Sequence, residues 1–586
     1  MTAYVPPVAD MSFLLGDVFD FDEKMSVLPG FGDINTGLAT SILDEAGKFC
    51  ARILEPLNRP GDEQGCRLAD GVVSTPQGFP AAYRAFVTAG WAGLSGAPEF
   101  GGQGLPHVLQ LLLDEMLSSA NLSFGLFAGL TRGAAETIFH HAGDALKQQY
   151  LPKMIQGEWT GAMALTEAGA GTDLGQLTTR AEPCGDGTYA LHGTKIFISS
   201  GDHDFGGNIV HLVLARLPGA AAGVRGISLF LAPKFLADEA GETGLRNRMS
   251  VGALEHKMGI HAQPTCVMNY DGATAWLIGE PGAGLNAMFT MMNAERLFVG
   301  MQGLGIGEAA SQKAVAYARE RRQGRGADGS LGPVPIIGHA DVRGMLLTGR
   351  ALTEAGRALG IWTALQMDIA ARHPDPATRR EAGGYVALLT PVVKAACTDF
   401  GFETAVKSQQ VFGGHGYIRE WGMEQYVRDA RITQIYEGTN GVQAMDLVGR
   451  KLPMENGDPA RRFFALMRDD LAPQAAEELE PARRAVASAL TRLEDLTGFV
   501  LSRAGDPRET GAAATEYLHC FALVTYGWLW VRMAGKAARN SSPALARHKL
   551  AMARYFTSRL LPRTVALESA IRAGAADIMA ADDALL

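Results

Sequence analysis

The stretch TAWLIGEPGAGLNA, residues 274–287, decides the fold. It reads as a strand, then Gly282-x-Gly284-x-x-Ala287, then a helix start, which is the outline of a dinucleotide-binding fingerprint opening a doubly wound sheet. Such a sheet needs strands and helices to alternate, and no second βα unit follows. Upstream, from about Thr160 to Gly279, short β-branched or aromatic runs alternate with turns: GTYALHG, KIFISSG, NIVHLVLARL, GISLFLAP and CVMNYDG. Downstream, helical periodicity persists from Gly284 to Leu452, opening with a pattern from Asn286 to Arg322 that spans ~55 Å if unbroken. The stretch is therefore a turn carrying the chain from a segregated β domain into a long helix.

Working outward, residues 37–157 have helical spacing, as in HVLQLLLDEMLSSA, interrupted by Pro and Gly clusters such as SGAPEFGGQGLP. An Ala-rich helical segment follows PMENGDPARR. The expected class is α+β, mainly α, in four segments: 1–160, a leader and helical domain; 161–279, a middle β domain; 280–455, a helical bundle; and 456–586, a further helical domain. Gly300, Gly303, Gly305 and Gly307 weaken the long helix, so they are expected where another backbone packs closely. FALVTYGWLWV (Phe521–Val531) is too short to span a bilayer and is read as a buried core helix.

With 586 residues and a net charge of -9, the chain can bury several cores but presents no general surface for polyanions, so nucleic acid is disfavoured. The six cysteines are scattered, without CxxC pairs, which points away from zinc and disulfide scaffolds and toward a reducing cytoplasm. The start, MTAYVPPVADMSF, lacks the pattern of an export signal, and no window of roughly 20 apolar residues is read as a membrane span. Integral membrane association is not expected.

Five segments are candidates for chemistry. In GAMALTEAGAGTDLGQLTTRAE (161–182) small residues let backbone N–H groups converge on an anion, with Thr166 and Thr172 as hydroxyl donors. HGTKIFISSGDHD sets Phe197 and Ser199 two residues apart on one face of a strand, which reads either as a core strand with one wet end or as a place for a flat aromatic group to stack. YARERRQGRG gathers Arg319, Arg321, Arg322 and Arg325 near the end of the long helix, where cations either complement the dipole or hold a pyrophosphate. QQVFGGHGY brings together Gln410, Gly413, Gly414 and Gly416, a turn that also permits close phosphate approach. Finally, RITQIYEGTNGVQAMDLVGRKL (431–452) puts Glu437 just before a helix whose start, Asn440 followed by Gln443, resembles a capping box. That carboxylate either complements the dipole or is a base.

TEAGAGTD, FISSG, ERRQGR, QVFGGHGY and IYEGTNGVQ, in this order and spacing, resemble the acyl-CoA dehydrogenase family over residues 37–452. The resemblance implies the family fold of helical domain, β domain and helical bundle, with FAD between the last two and reaching a neighbouring subunit. It implies that Met163, Leu165 and Thr166 face the flavin, with Phe197 and Ser199 at its reactive edge, and that Thr172 meets the pyrophosphate or the pantetheine arm. Arg321, Gln410, Gly413, Gly414 and Thr439 resemble residues that grip the adenosine diphosphate half, and Arg296 one that contacts CoA. Glu437 matches the catalytic base, the backbone at Glu437 and Gly438 lies along the thioester, and Glu295 occupies the position a minority of the family uses instead.

The implied reaction is α,β-dehydrogenation of an acyl-CoA to the trans-2-enoyl-CoA, with electron-transfer flavoprotein as acceptor. The flanking segments resemble a subgroup that carries an extra C-terminal domain. They imply a homodimer and, as substrate, 3-methylmercaptopropionyl-CoA, or alternatively medium- or long-chain acyl-CoA. An acyl-CoA oxidase, a DNA-associated flavoprotein of the same fold and a purely structural helical protein are the competing readings. Two departures bear on this: Ala168 stands where the family commonly has Pro, loosening the loop, and Gly324 stands where an aromatic is frequent.

Overall fold

The computed structural model describes residues 4–238, 241–326, 329, 332–472 and 477–585. Its principal helices are α1 (His107–His141), α2 (Gly284–Glu320), α3 (Ala340–Arg372), α4 (Pro376–Val411), α5 (Asn440–Asp446), α6 (Pro507–Asn540) and α7 (Pro543–Tyr555). Between α1 and α2 run β1 (Trp159–Ala164), β2 (Arg180–Pro183), β3 (Tyr189–Ser199), β4 (Asn208–Arg216), β5 (Ile227–Pro233), β6 (Met249–Leu254) and β7 (Thr265–Ile278). Helices, then strands, then helices is the α+β order that the sequence pattern predicts.

The chain forms two compact units. One comprises residues 49–105 and 120–295; the other comprises 1–48, 106–119 and 296–586. Each is described by itself.

In the first unit the seven strands pair in the order β6-β7-β3-β2-β4-β1, and β5 closes the path by pairing both β7 and β4. β1 runs parallel to β4, while β7 is antiparallel to all three of its neighbours. Alternate residues of β4 serve two cores. Val210, Leu212 and Leu214 pack with Leu130, Ile138, Tyr150, Trp159, Met288 and Met291, whereas Ile209, Val213 and Ala215 join Ala162, Leu191, Phe230 and Tyr270. Both faces are buried, so the strand reads as a continuous apolar run.

The glycines of residues 282–284 now have a physical account. Gly282 adopts φ +77° and donates its N–H to Ser228 Oγ at 2.9 Å. A Cβ at Gly284 would stand 2.2 Å from the Ser228 carbonyl carbon, so α2 can begin against β5 only if that residue has no side chain. The pattern that imitates a nucleotide fingerprint is a turn and a close helix–strand contact.

In the second unit the helical glycines of α2 do what close packing predicts. A Cβ at Gly303 would lie 2.5 Å from Thr398 Cα on α4, one at Gly305 would lie 2.7 Å from the Glu115 carbonyl on α1, and one at Gly401 would lie 2.0 Å from the Gly303 carbonyl. α2 ends at Glu320, so Arg321, Arg322 and Arg325 lie beyond the helix and not within its last turn; Arg322–Gln323 pairs instead with Val334–Pro335. α6 is a core helix as expected, with Phe521, Trp528 and Trp530 fully buried. One expectation is corrected: α4 is long and apolar enough, by length and composition, to cross a membrane, yet 78% of that window is buried inside the protein.

A buried ion network ties this unit together. Arg357 on α3 meets Asp10 at 2.7 Å, Glu115 at 2.6 Å and Glu308 at 2.8 Å, while Lys549 on α7 meets Asp10 at 2.6 Å and Glu354 at 2.7 Å. The leader, the bundle and the C-terminal helices therefore share one set of compensated charges.

Replacing Gly401 with Ala is expected to cost about 2–3 kcal/mol in chemical unfolding, because overpacking forces two helix backbones apart. Gly383→Ala on the same helix, where a Cβ meets nothing within 4 Å, should be neutral or stabilising by up to about 1 kcal/mol.

Candidate active site

In the β unit, the loop after β1 is locked by a charge pair that its sequence does not advertise. Glu167 accepts hydrogen bonds from the N–H and hydroxyl of both Thr178 and Thr179, and from Lys195 Nζ at 2.8 Å. Burial works against its charge, but Lys195 and these donors prevail and hold the carboxyl down to about 2. Lys195 also donates to the Leu165 carbonyl at 2.9 Å, and Ile196 N–H donates to the Thr166 carbonyl at 2.9 Å. Leu165 and Thr166 are thus fixed to β3. Ala168 and Gly169 form a tight turn closed by reciprocal 3.0 Å bonds between Glu167 and Ala170, so the loop remains rigid without proline. A Cβ on Gly169 or Gly171 would meet nothing within 4 Å, and Thr172 is exposed beside them.

Phe197 corrects a premise of the sequence reading. The pairing of β3 with β7 shifts between Ile198↔Cys266 and Lys195↔Met268, a bulge in which Phe197 takes φ +60°. Simple alternation therefore does not set the faces here. The bulge leaves Phe197 59% exposed while Ile198 is buried and Ser199 is partly buried. A large aromatic held outward in strained backbone, with half-buried Met163 and Leu165 in the same unit, fits a flat aromatic group such as the isoalloxazine of FAD.

Glu437 lies in the helical unit, partly buried, at φ +55°, followed by Gly438 at φ +78°. Two consecutive left-handed residues point the chain back on itself, and for a glutamate that backbone is costly. The surroundings hold it there. Gln443, fully buried, donates its amide to the Glu437 carbonyl at 3.1 Å and the Gly438 carbonyl at 3.2 Å, and Tyr436 Oη donates to Gln302. The capping-box expectation is corrected: the cap is Thr439, whose hydroxyl accepts from Val442 N–H at 3.3 Å, and Gln443 clasps the loop instead of completing a box. Asn440 begins α5 with its side chain turned to α4.

Burial pushes the Glu437 carboxyl up to about 7, against the pull of Arg296 and then Lys394. Arg296 is 4% exposed and paired with Asp446 at 3.2 Å, so it is an interior cation and not a surface one. Glu295, in the other unit, is 2% exposed, and its carboxylate packs where a side chain on Gly133 would stand.

Gln410, Gly413 and Gly414 form an exposed edge at the end of α4, and Arg321 is exposed after α2. An aromatic clamp sets this edge: Tyr317 stacks on Phe412 at 4.1 Å and hydrogen-bonds His415 at 2.9 Å, and His415 stacks on Trp421 at 4.3 Å. Tyr417, 84% exposed, and Ile418 extend the same edge. The sequence reading gives no role to Lys195, Glu167 or Lys394 and gives Gln443 only a capping role; of the four, Lys394 alone lies outside the stretches singled out.

Comparison with known proteins places the chain by its domains. Residues 39–158, 162–273 and 282–452 match the N-terminal, middle and C-terminal domains of acyl-CoA dehydrogenases, and 463–582 match an acetyl-CoA dehydrogenase C-terminal-like domain. A 3-methylmercaptopropionyl-CoA dehydrogenase of Ruegeria pomeroyi is 43% identical over 97% of this chain and 98% of its own. A broad-specificity linear acyl-CoA dehydrogenase of Mycobacterium tuberculosis is 30% identical over 100% of both chains. The acyl-CoA dehydrogenase of Bacillus anthracis complexed with FAD shares the fold, with a TM-score of 0.75 at 21% identity over 93% of this chain and 90% of its own.

Replacing Lys195 by Met should destabilise the β unit by about 3–5 kcal/mol, because the Glu167 carboxylate is left buried without its cation. Glu167→Gln added to that change should recover much of the loss, as read by urea unfolding.

Proposed function

The chain belongs to the acyl-CoA dehydrogenase family, a flavoprotein family acting on acyl-CoA thioesters, and from that premise we propose that Glu437 is its catalytic base. The observation that carries this is a partly buried carboxylate in left-handed backbone that Gln443 clasps at both the Glu437 and Gly438 carbonyls; burial pushes its carboxyl up to about 7. The α-proton of a thioester is very weakly acidic, so its removal needs a base that water does not stabilise. Glu437 takes that proton. The loop backbone at Glu437 and Gly438 lies along the thioester and donates an N–H to its carbonyl as negative charge grows there. When bound, FAD supplies the two-electron acceptor for the hydride leaving the β-carbon.

For the cofactor, we assign Met163, Leu165, Thr166, Phe197 and Ser199 to the flavin and Thr172 to the pyrophosphate or pantetheine. The exposure of Phe197 and the open, rigid turn at residues 168–171 support this. The exposed edge of Gln410, Gly413 and Gly414, with Arg321 and Thr439, suits an adenosine diphosphate half held across a homodimer, and exposed Tyr417 and Ile418 offer apolar surface for a second copy. Arg296 attracts the CoA portion from inside the unit. Electron-transfer flavoprotein is the acceptor proposed, and the free thiols suit a cytoplasmic setting. The substrate proposed is 3-methylmercaptopropionyl-CoA, on the strength of the 43% identical relative, with linear acyl-CoA the second choice.

Bleaching of the bound flavin by a panel of acyl-CoA esters that includes a methylthio-substituted one tests cofactor, reaction and substrate together. Glu437→Gln should retain flavin and lose about 10³-fold or more in reduction rate. Because the carboxylate is the active form, the wild-type rate should rise with pH through about 7. A fully active Glu437→Gln enzyme would reassign the base.

A further inference from the structure

We propose that Lys394 is a positioning residue for the reaction: its ammonium, sealed in the bundle on α4 and anchored to α5, holds Glu437 in its ionised form and sets the pH at which it works. This rests on Glu437 being the base. Lys394 is 0% exposed, and Nζ donates to Asn440 Oδ1 at 2.8 Å. Asn440 in turn donates to Asp399 Oδ1 at 2.7 Å, and Asp399 also accepts from Gln434 at 2.6 Å and meets His519 of α6 at 2.7 Å. Residues 434 and 440 bracket the base, so the anchor of the lysine is built from the two ends of the loop that carries Glu437.

The charged groups around the pair are Arg296 from α2, Asp399 from α4, Asp446, Arg450 and Lys451 from α5 and the turn after it, and His519 from α6. Arg296 is committed to Asp446, which also takes Arg450 at 2.6 Å. Asp399 is occupied by Asn440, Gln434 and His519. Lys394, by contrast, is anchored through a neutral amide oxygen, and an interior ammonium without a counter-charge is costly. Of the carboxylates that favour its charge, Glu437 acts more strongly than Asp399, which its own three partners already hold. Burial drives the lysine down to about 7 while Glu437 and then Asp399 oppose that fall, and burial raises Glu437 to about 7 against the pull of Arg296 and then Lys394. Each favours the charged form of the other.

The test is an infrared pH titration of the flavin-loaded enzyme, following the protonated-carboxyl band that disappears in Glu437→Gln, beside the pH profile of flavin reduction. In Lys394→Met the carboxyl should protonate about one pH unit higher, and below both midpoints the reduction rate should fall about tenfold, with Lys394→Arg restoring both. Asn440→Ala, which keeps the ammonium but frees it, should move the band in the same direction by less, and decides the matter if Lys394→Met does not fold. An unshifted band overturns the proposal. If the wild type is reduced by no acyl-CoA, the assignment of the base fails, while the band still reports whether Lys394 governs Glu437.

Discussion

A carboxylate that must be ionised to react and poorly hydrated to be a strong base constrains everything around it. Glu437, the base proposed here, has three separate supports for that demand: Gln443 grips the backbone, Tyr436 is tied to Gln302 on α2, and two interior cations pull on the acid. Water would satisfy the charge and weaken the base; bare protein would keep it protonated. Arg296 and Lys394 provide the compromise, each pulling the carboxyl toward its charged form against burial.

The packing of the helical unit follows from the need to bring those cations in. α2 carries Arg296 and Gln302, α4 carries Lys394, and the two approach closely because Gly303 and Gly401 let one backbone touch the other. A methyl group at either glycine separates the helices that supply the charges. The Arg357 and Lys549 network stiffens the same bundle from the side of the leader and the C-terminal helices. In the β unit a parallel device operates, with Lys195 and Glu167 pinning Leu165 and Thr166. Both units place a non-glycine residue at positive φ where chemistry is assigned, Phe197 in one and Glu437 in the other.

Element order and the helical glycines were legible in the sequence because periodicity and propensity are local. The IYEGTNG and GAGTD stretches stood out for the same reason: small residues clustered around one polar side chain are unusual in any helix or strand. What escaped were the partners. Lys195 and Lys394 sit among apolar neighbours and gain meaning only from residues 28 and 43 positions away, which periodicity cannot register. The capping misreading at Asn440 has the same origin, since the local pattern allows either residue to cap and only the pull of Lys394 and Asp399 on the Asn440 side chain leaves the role to Thr439. The bulge at Phe197 also broke a pleat that the pattern assumed regular.

The most direct measurement separates proton abstraction from electron transfer: exchange of α-deuterium into water from an acyl-CoA whose β-carbon bears no hydrogen, so that no hydride can leave. The wild type should catalyse that exchange, and the Glu437→Gln enzyme should not, while Glu295→Gln leaves it unchanged. Exchange that survives the loss of the Glu437 carboxylate would show that another group removes the proton, and the account would fail at its centre.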